Sequence, residues 1–141
     1  MNRGKHRKRT TAFRKTAAVI AAFLLLLSLT GCEKYTSSYK AVAFIHSNEK
    51  TSAFMNFYSF DGTMVFKLHS GGEGALNYTA ALESGNAAVY YDYAGRKLPL
   101  FTVGGGDTID SHGGYIEAGT VYVIVETDGA CKNGEFRFSV A

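Results

Sequence analysis

From Tyr39 onward, apolar side chains recur at every second position, and no long stretch repeats at the 3.6-residue spacing of a helix. This alternation is the strongest constraint on the fold, because successive side chains of an extended strand point to opposite faces. Asp61-Gly62 sits between two alternating runs. An Asp-Gly pair there predicts a two-residue hairpin, since both central residues of such a turn take positive φ. Phe60 then faces Thr63, Tyr58 faces Val65 and Phe54 faces His69. Met55, Phe57, Met64, Phe66 and Leu68 share one face, which reads as core. Phe54, Tyr58, Phe60, Val65, Lys67 and His69 share the other, which is mixed.

The same reading continues along the chain. Leu76, Tyr78, Ala80 and Leu82 alternate with polar residues, and Ser84-Gly85-Asn86 is expected to turn the chain. Ala87, Val89, Tyr91 and Tyr93 follow, with a second turn at Gly95-Arg96-Lys97. Pro99, the one proline, places the next strand at an edge or at its own first residues. Residues 104–114 read as a glycine-rich polar loop with a short strand inside. Val121, Val123 and Val125 make a buried row, 128–134 reads as a turn, and Phe136, Phe138 and Val140 point inward from the last strand. About eight or nine strands with short connections predict an all-β fold, and no segment could supply crossover helices. One open sheet would leave an apolar face uncovered; two packed antiparallel layers, a jelly-roll-like β-sandwich, cover it. Three pieces, Glu83-Ser84-Gly85, Tyr91-Asp92-Tyr93-Ala94-Gly95 and Ala118-Gly119-Thr120-Val121-Tyr122-Val123, resemble the C-terminal half of bacterial pre-peptidase jelly-roll modules. The resemblance implies an accessory sandwich that binds calcium, sugar or protein, or packs against a partner domain. The aspartate-rich strand of the calcium-binding versions is not evident.

The first residues follow another rule. Arg3, Lys5, Arg7, Lys8, Arg9, Arg14 and Lys15 precede an apolar run of 13 residues, Ala17 to Leu29. A membrane span needs about 20 residues, so this run has the length and flanks of a signal-peptide core. Leu29-Thr30-Gly31-Cys32 follows at once and resembles the lipobox of bacterial lipoproteins. The resemblance implies that Leu29, Thr30 and Gly31 are read by a dedicated signal peptidase. It further implies that Cys32 becomes the first mature residue, with a diacylglyceryl group on its thiol and an N-acyl chain as the only non-protein group. The expected organisation is a signal peptide over 1–31, a lipidated polar tether over 32–38 and a sandwich domain over 39–141. The expected location is the extracytoplasmic face of the cell membrane.

Removing the leader reverses the charge. The whole chain carries +3, but residues 1–31 hold seven of the 15 cations, which leaves eight against 12 carboxylates, a net −4. A mature chain with no basic excess is not expected to bind nucleic acid. Of the two cysteines, lipidation consumes Cys32 and leaves Cys131 without an intramolecular partner. Its turn-like flanks predict that Cys131 is exposed.

Candidate chemistry is sparse. Asp110-Ser111-His112 contains triad residue types, but neighbouring side chains diverge on an extended chain. Asp107, Asp110 and Glu117 could offer oxygens to calcium, which wants six to eight. His46, His69 and His112 have no zinc-ligand spacing. Phe54, Tyr58, Phe60 and Tyr90 could present rings to a sugar or a protein. The expected function is therefore a non-enzymatic binding or packing module on the membrane, meeting an envelope protein or polysaccharide. The competing expectation is an envelope hydrolase or a calcium-dependent sugar-binding module built on the 104–117 loop.

Overall fold

The computed structural model describes residues 34–140; Leu29, Thr30, Gly31 and Cys32 lie outside them. The folded unit is Tyr35–Ala141. Its strands are β1 (Ser38–Val42), β2 (Ile45–Asn48), β3 (Ser52–Ser70), β4 (Gly74–Tyr93), β5 (Arg96–Gly104), β6 (Thr108–Ile116) and β7 (Gly119–Val140). They form one antiparallel sheet in the order β1-β3-β7-β4-β5, with β2 paired to β3 and β6 to β4.

Three strands are unusually long: β3 has 19 residues, β4 has 20 and β7 has 22. Each is interrupted at the same level. The ladder slips between Phe60 and Thr63 on β3 and between Ser84 and Asn86 on β4, in both cases opposite residues 126–132 of β7. A bulge bends a strand and sharpens its twist. The two aligned bulges, each with its extra residues on β7, fold the sheet over, so that its two halves face each other as a sandwich. The first layer holds residues 63–70, 119–128 and 86–93 with β5; the second holds β2, residues 52–60, 131–140 and 74–84, and β6. Seven strands thus do the work expected of eight or nine.

The predicted hairpin at Asp61-Gly62 is not formed, nor are the turns at 84–86 and 128–134; all three lie inside continuous strands. Gly62 has φ +137°, and a Cβ there would strike the carbonyl oxygen of Ser38 on β1. Thr127 Oγ1 takes the Gly62 N–H at 2.8 Å. The glycine is needed for close approach of an edge strand, not for reversal. The turn expected at Gly95-Arg96-Lys97 is formed, one residue earlier, as a tight hairpin at Ala94-Gly95, where φ is 55° and 84°.

The expected core faces are correct. Met55, Phe57, Met64, Phe66 and Leu68 are all buried, as are the rows on β4 as far as Tyr91 and on β7, while Tyr93 is only half-buried. Rings interlock across the layers: Tyr78 stacks on Phe101 at 4.5 Å between centroids, and Phe66 meets Phe138 at 6.0 Å. Two residues depart from expectation. Phe60, expected on the mixed face, is fully buried at the bend, packed on Tyr39 and Phe44. Cys131, expected to be exposed, is also fully buried; its Sγ donates to the Asn86 carbonyl at 3.3 Å. It occupies the inside of the fold-over, and a Cβ on Gly85 would come within 2.7 Å of its sulfur.

The β3 edge of the first layer is covered. Asn48 grips Lys67 through both backbone groups, at 2.8 and 2.9 Å, and the Lys50 carbonyl takes the His69 N–H at 2.7 Å. Paired edge groups cannot recruit a foreign strand.

Candidate functional site

Because the second layer packs its inward rows into the core, its alternate residues form an outer face of five strands. Register aligns them into rows. Ser47, Phe54, Arg137, Thr79 and Asp110 stand side by side across β2, β3, β7, β4 and β6. One step along lie Ser52, Ser139, Asn77 and His112; one step back lie Ile45, Asn56, Glu135, Ala81 and Thr108. The first two rows, with Glu49, line an open groove of about 700 Å³. That volume is within the usual range for small-molecule and cofactor sites.

The groove is built from short polar side chains around one aromatic ring. The Arg137 guanidinium lies 4.5 Å from the Phe54 centroid, a cation–π contact. Its Nε donates to Glu135 Oε1 at 2.8 Å, and Asn56 Nδ2 reaches the other carboxylate oxygen at 3.4 Å. Arg137 is therefore fixed and its charge offset. Asp110 and Glu49 add negative charge to the rim. Asn77, Thr79, Ser47 and Ser139 have polar groups to offer a ligand, and Tyr58, 52 % exposed, stands further along β3.

The predicted site residues are thus dispersed. Phe54 is half-buried in the groove wall and Tyr58 lies on the same strand beyond it. Phe60 is in the core, and Tyr90 is on the outer face of the other layer with Lys97 Nζ 4.5 Å from its ring. Asp107 caps the β5–β6 turn, accepting from the Gly104 N–H at 3.0 Å, and Glu117 accepts from Tyr93 at 2.9 Å. Burial, then that hydrogen bond, push the Tyr93 phenol up. Asp107, Asp110 and Glu117 do not converge, and no group of three His, Cys, Asp or Glu among the described residues is arranged for a metal ion. Asp110, Ser111 and His112 line the groove, but among the described residues no hydrogen bond joins them. Asn77, Thr79, Arg137, Ser139 and Ser47 were not singled out from sequence. Their signal is the polar half of each alternation, which identifies a face only once the register between distant strands is known.

The opposite outer face is partly covered by the chain's own N-terminal segment. Asp92 is 3 % exposed and receives the Tyr35 hydroxyl, whose ring meets Tyr122 edge-on at 5.7 Å. That hydrogen bond first, then burial and the Asp92 charge, push the Tyr35 phenol up to about 12. Ser37 Oγ takes the Val65 N–H at 2.9 Å. Ile124, which lies between Val65 and Tyr90 in register, is buried outside the main core. Residues 35–38, expected in the polar tether, are therefore part of the folded unit, with Ser38 opening β1.

No protein-family model and no curated protein matches the chain. Solved structures with a similar course include the pre-peptidase C-terminal domain of a Bacillus anthracis collagenase, at 13 % identity and TM-score 0.45, covering 66 % of this chain and 90 % of that one. A family 6 carbohydrate-binding module aligns at 18 % identity and TM-score 0.40, over 77 % and 90 % of the two chains. A variant of a family 29 carbohydrate-binding module, complexed with mannohexaose, aligns at 11 % and 0.40, over 75 % and 90 %. Resemblance at this level concerns the course of the strands alone.

Proposed function

We propose that this chain is an extracytoplasmic lipoprotein, anchored through Cys32, whose folded unit is a non-catalytic binding module for a neutral polysaccharide. The lipobox at Leu29 to Cys32 supports the anchor. The observation that carries the binding role is the row Ser47, Phe54, Arg137, Thr79 and Asp110, which with Asn77 of the next row sets hydroxyl, amide and carboxylate groups around a ring in an open groove. Polar groups that exchange hydrogen bonds with water can exchange them with sugar hydroxyls, and a ring offers an apolar face to C–H groups. The one cation in the row is held by Glu135. The Asp110 carboxylate in the row and Glu49 on the rim disfavour an anionic ligand.

Titration of neutral and acidic oligosaccharides into the protein tests this reading. We expect neutral glycans to bind, and Phe54→Ala or Asn77→Ala to weaken them about tenfold, which is about 1.4 kcal/mol, with an unchanged melting temperature. Binding of acidic glycans only, or of neutral ones with no loss in either variant, would overturn it.

A further inference from the structure

We infer that the docked N-terminal segment orients the domain on the membrane, with the outer face of the first layer toward the bilayer and the groove turned away from it. The inference rests on Cys32 being the lipid-bearing residue. Only Glu33 and Lys34 lie between Cys32 and Tyr35, so the two Cα atoms are three residue steps apart, about 11 Å at full extension. Tyr35 is not loose: its hydroxyl is bonded to the buried Asp92, its ring packs on Tyr122, and Ser37 ties the next turn of the path to Val65. Asp92 and Tyr122 are on the outer face of the first layer, paired in register with one another. Acyl chains attached at Cys32 therefore enter the bilayer within about 11 Å of that face.

The groove is on the far side. Packed sheets are about 10 Å apart, and the groove's side chains project outward again from the second sheet. No arrangement of residues 32–34 carries an attachment point around both layers. For the groove to face the bilayer, Tyr35 would have to leave Asp92 and Tyr122, which would uncover a buried carboxylate. Exposed Lys67 stands in the same row as Tyr122 and Asp92, so the bilayer-facing surface carries a cation suited to anionic headgroups. The orientation presents a binding surface outward without any further device.

The test uses the full chain, processed in bacteria and reconstituted in vesicles of phosphatidylethanolamine and phosphatidylglycerol bearing a headgroup quencher. Single cysteines for a fluorophore go at Lys67 or Thr120 on the first layer and at Asn77 or Thr108 on the second; buried Cys131 does not compete. We expect severalfold stronger quenching at 67 and 120 than at 77 and 108. A flexible insert of a dozen Gly and Ser residues after Cys32 should leave the fold intact but bring that ratio close to one on the vesicle. Equal quenching at all four positions without the insert, or a ratio unchanged by it, would overturn the orientation. A parallel Cys32→Ala precursor separates this from failure of the anchor. If Cys32→Ala still takes up a palmitate analogue as wild type does, the lipid is elsewhere and both readings fall.

Discussion

Tyr35 and Asp92 show how one pair can join two distant pieces of chain. The pair is separated by 57 residues, and the carboxylate is almost entirely enclosed. An ionised phenol beside that carboxylate would place two negative charges together, so the neutral phenol is favoured and its titration is displaced upward. The sign of the linkage follows. A folded value near 12 against an ordinary 10.0 contributes stability that is complete below pH about 10 and lost as pH rises through about 12. Ultraviolet titration of tyrosinate should show one phenol ionising near 12 in the native protein. Asp92→Asn should bring it back toward 10, because the hydrogen bond to a charged acceptor and the repulsion both disappear. A titration curve identical in the variant would refute the assignment.

Glycine, aspartate and asparagine serve bulges as well as turns, and this explains what could be read from the chain and what could not. Alternation identified the buried residues on both sides of each interruption, since parity is local and a side chain's face follows from its neighbours. It could not distinguish Asp61-Gly62, where β3 runs on, from a reversal, because both need a residue at positive φ. Ala94-Gly95, with a weaker turn composition, is the true hairpin. The groove was half legible for a related reason. Phe54 and Tyr58 follow from parity on one strand, whereas Arg137, Thr79 and Asp110 join them only through pairings between distant segments. The hairpin itself offers a check. Ala94 takes a left-handed conformation that asparagine accepts more readily, so Ala94→Asn should raise stability by up to about 1 kcal/mol. Urea unfolding would show this as a higher midpoint at unchanged slope.

At the scale of the molecule, residues 35–38 are part of the folded unit rather than a tether to it. A fragment of residues 39–141 lacks Tyr35 and Ser37 and should keep a β-type circular dichroism spectrum. It should nevertheless be less stable than residues 34–141 by about 1–3 kcal/mol, the order expected for uncovering one large side chain's worth of apolar surface. Equal urea midpoints for the two fragments would show that the segment contributes nothing to the fold. The three strands that cross the bend have a mechanical consequence. If the chain is the lipid-anchored polysaccharide binder proposed above, tension between anchor and polymer would enter the domain at Tyr35 on one layer and leave from the groove on the other. In a sandwich whose layers are separately threaded, side-chain packing alone would resist their sliding apart. Here β3, β4 and β7 each pass from layer to layer as unbroken backbone. Such a pull would run along covalent chain, and the apolar interior would be spared the load.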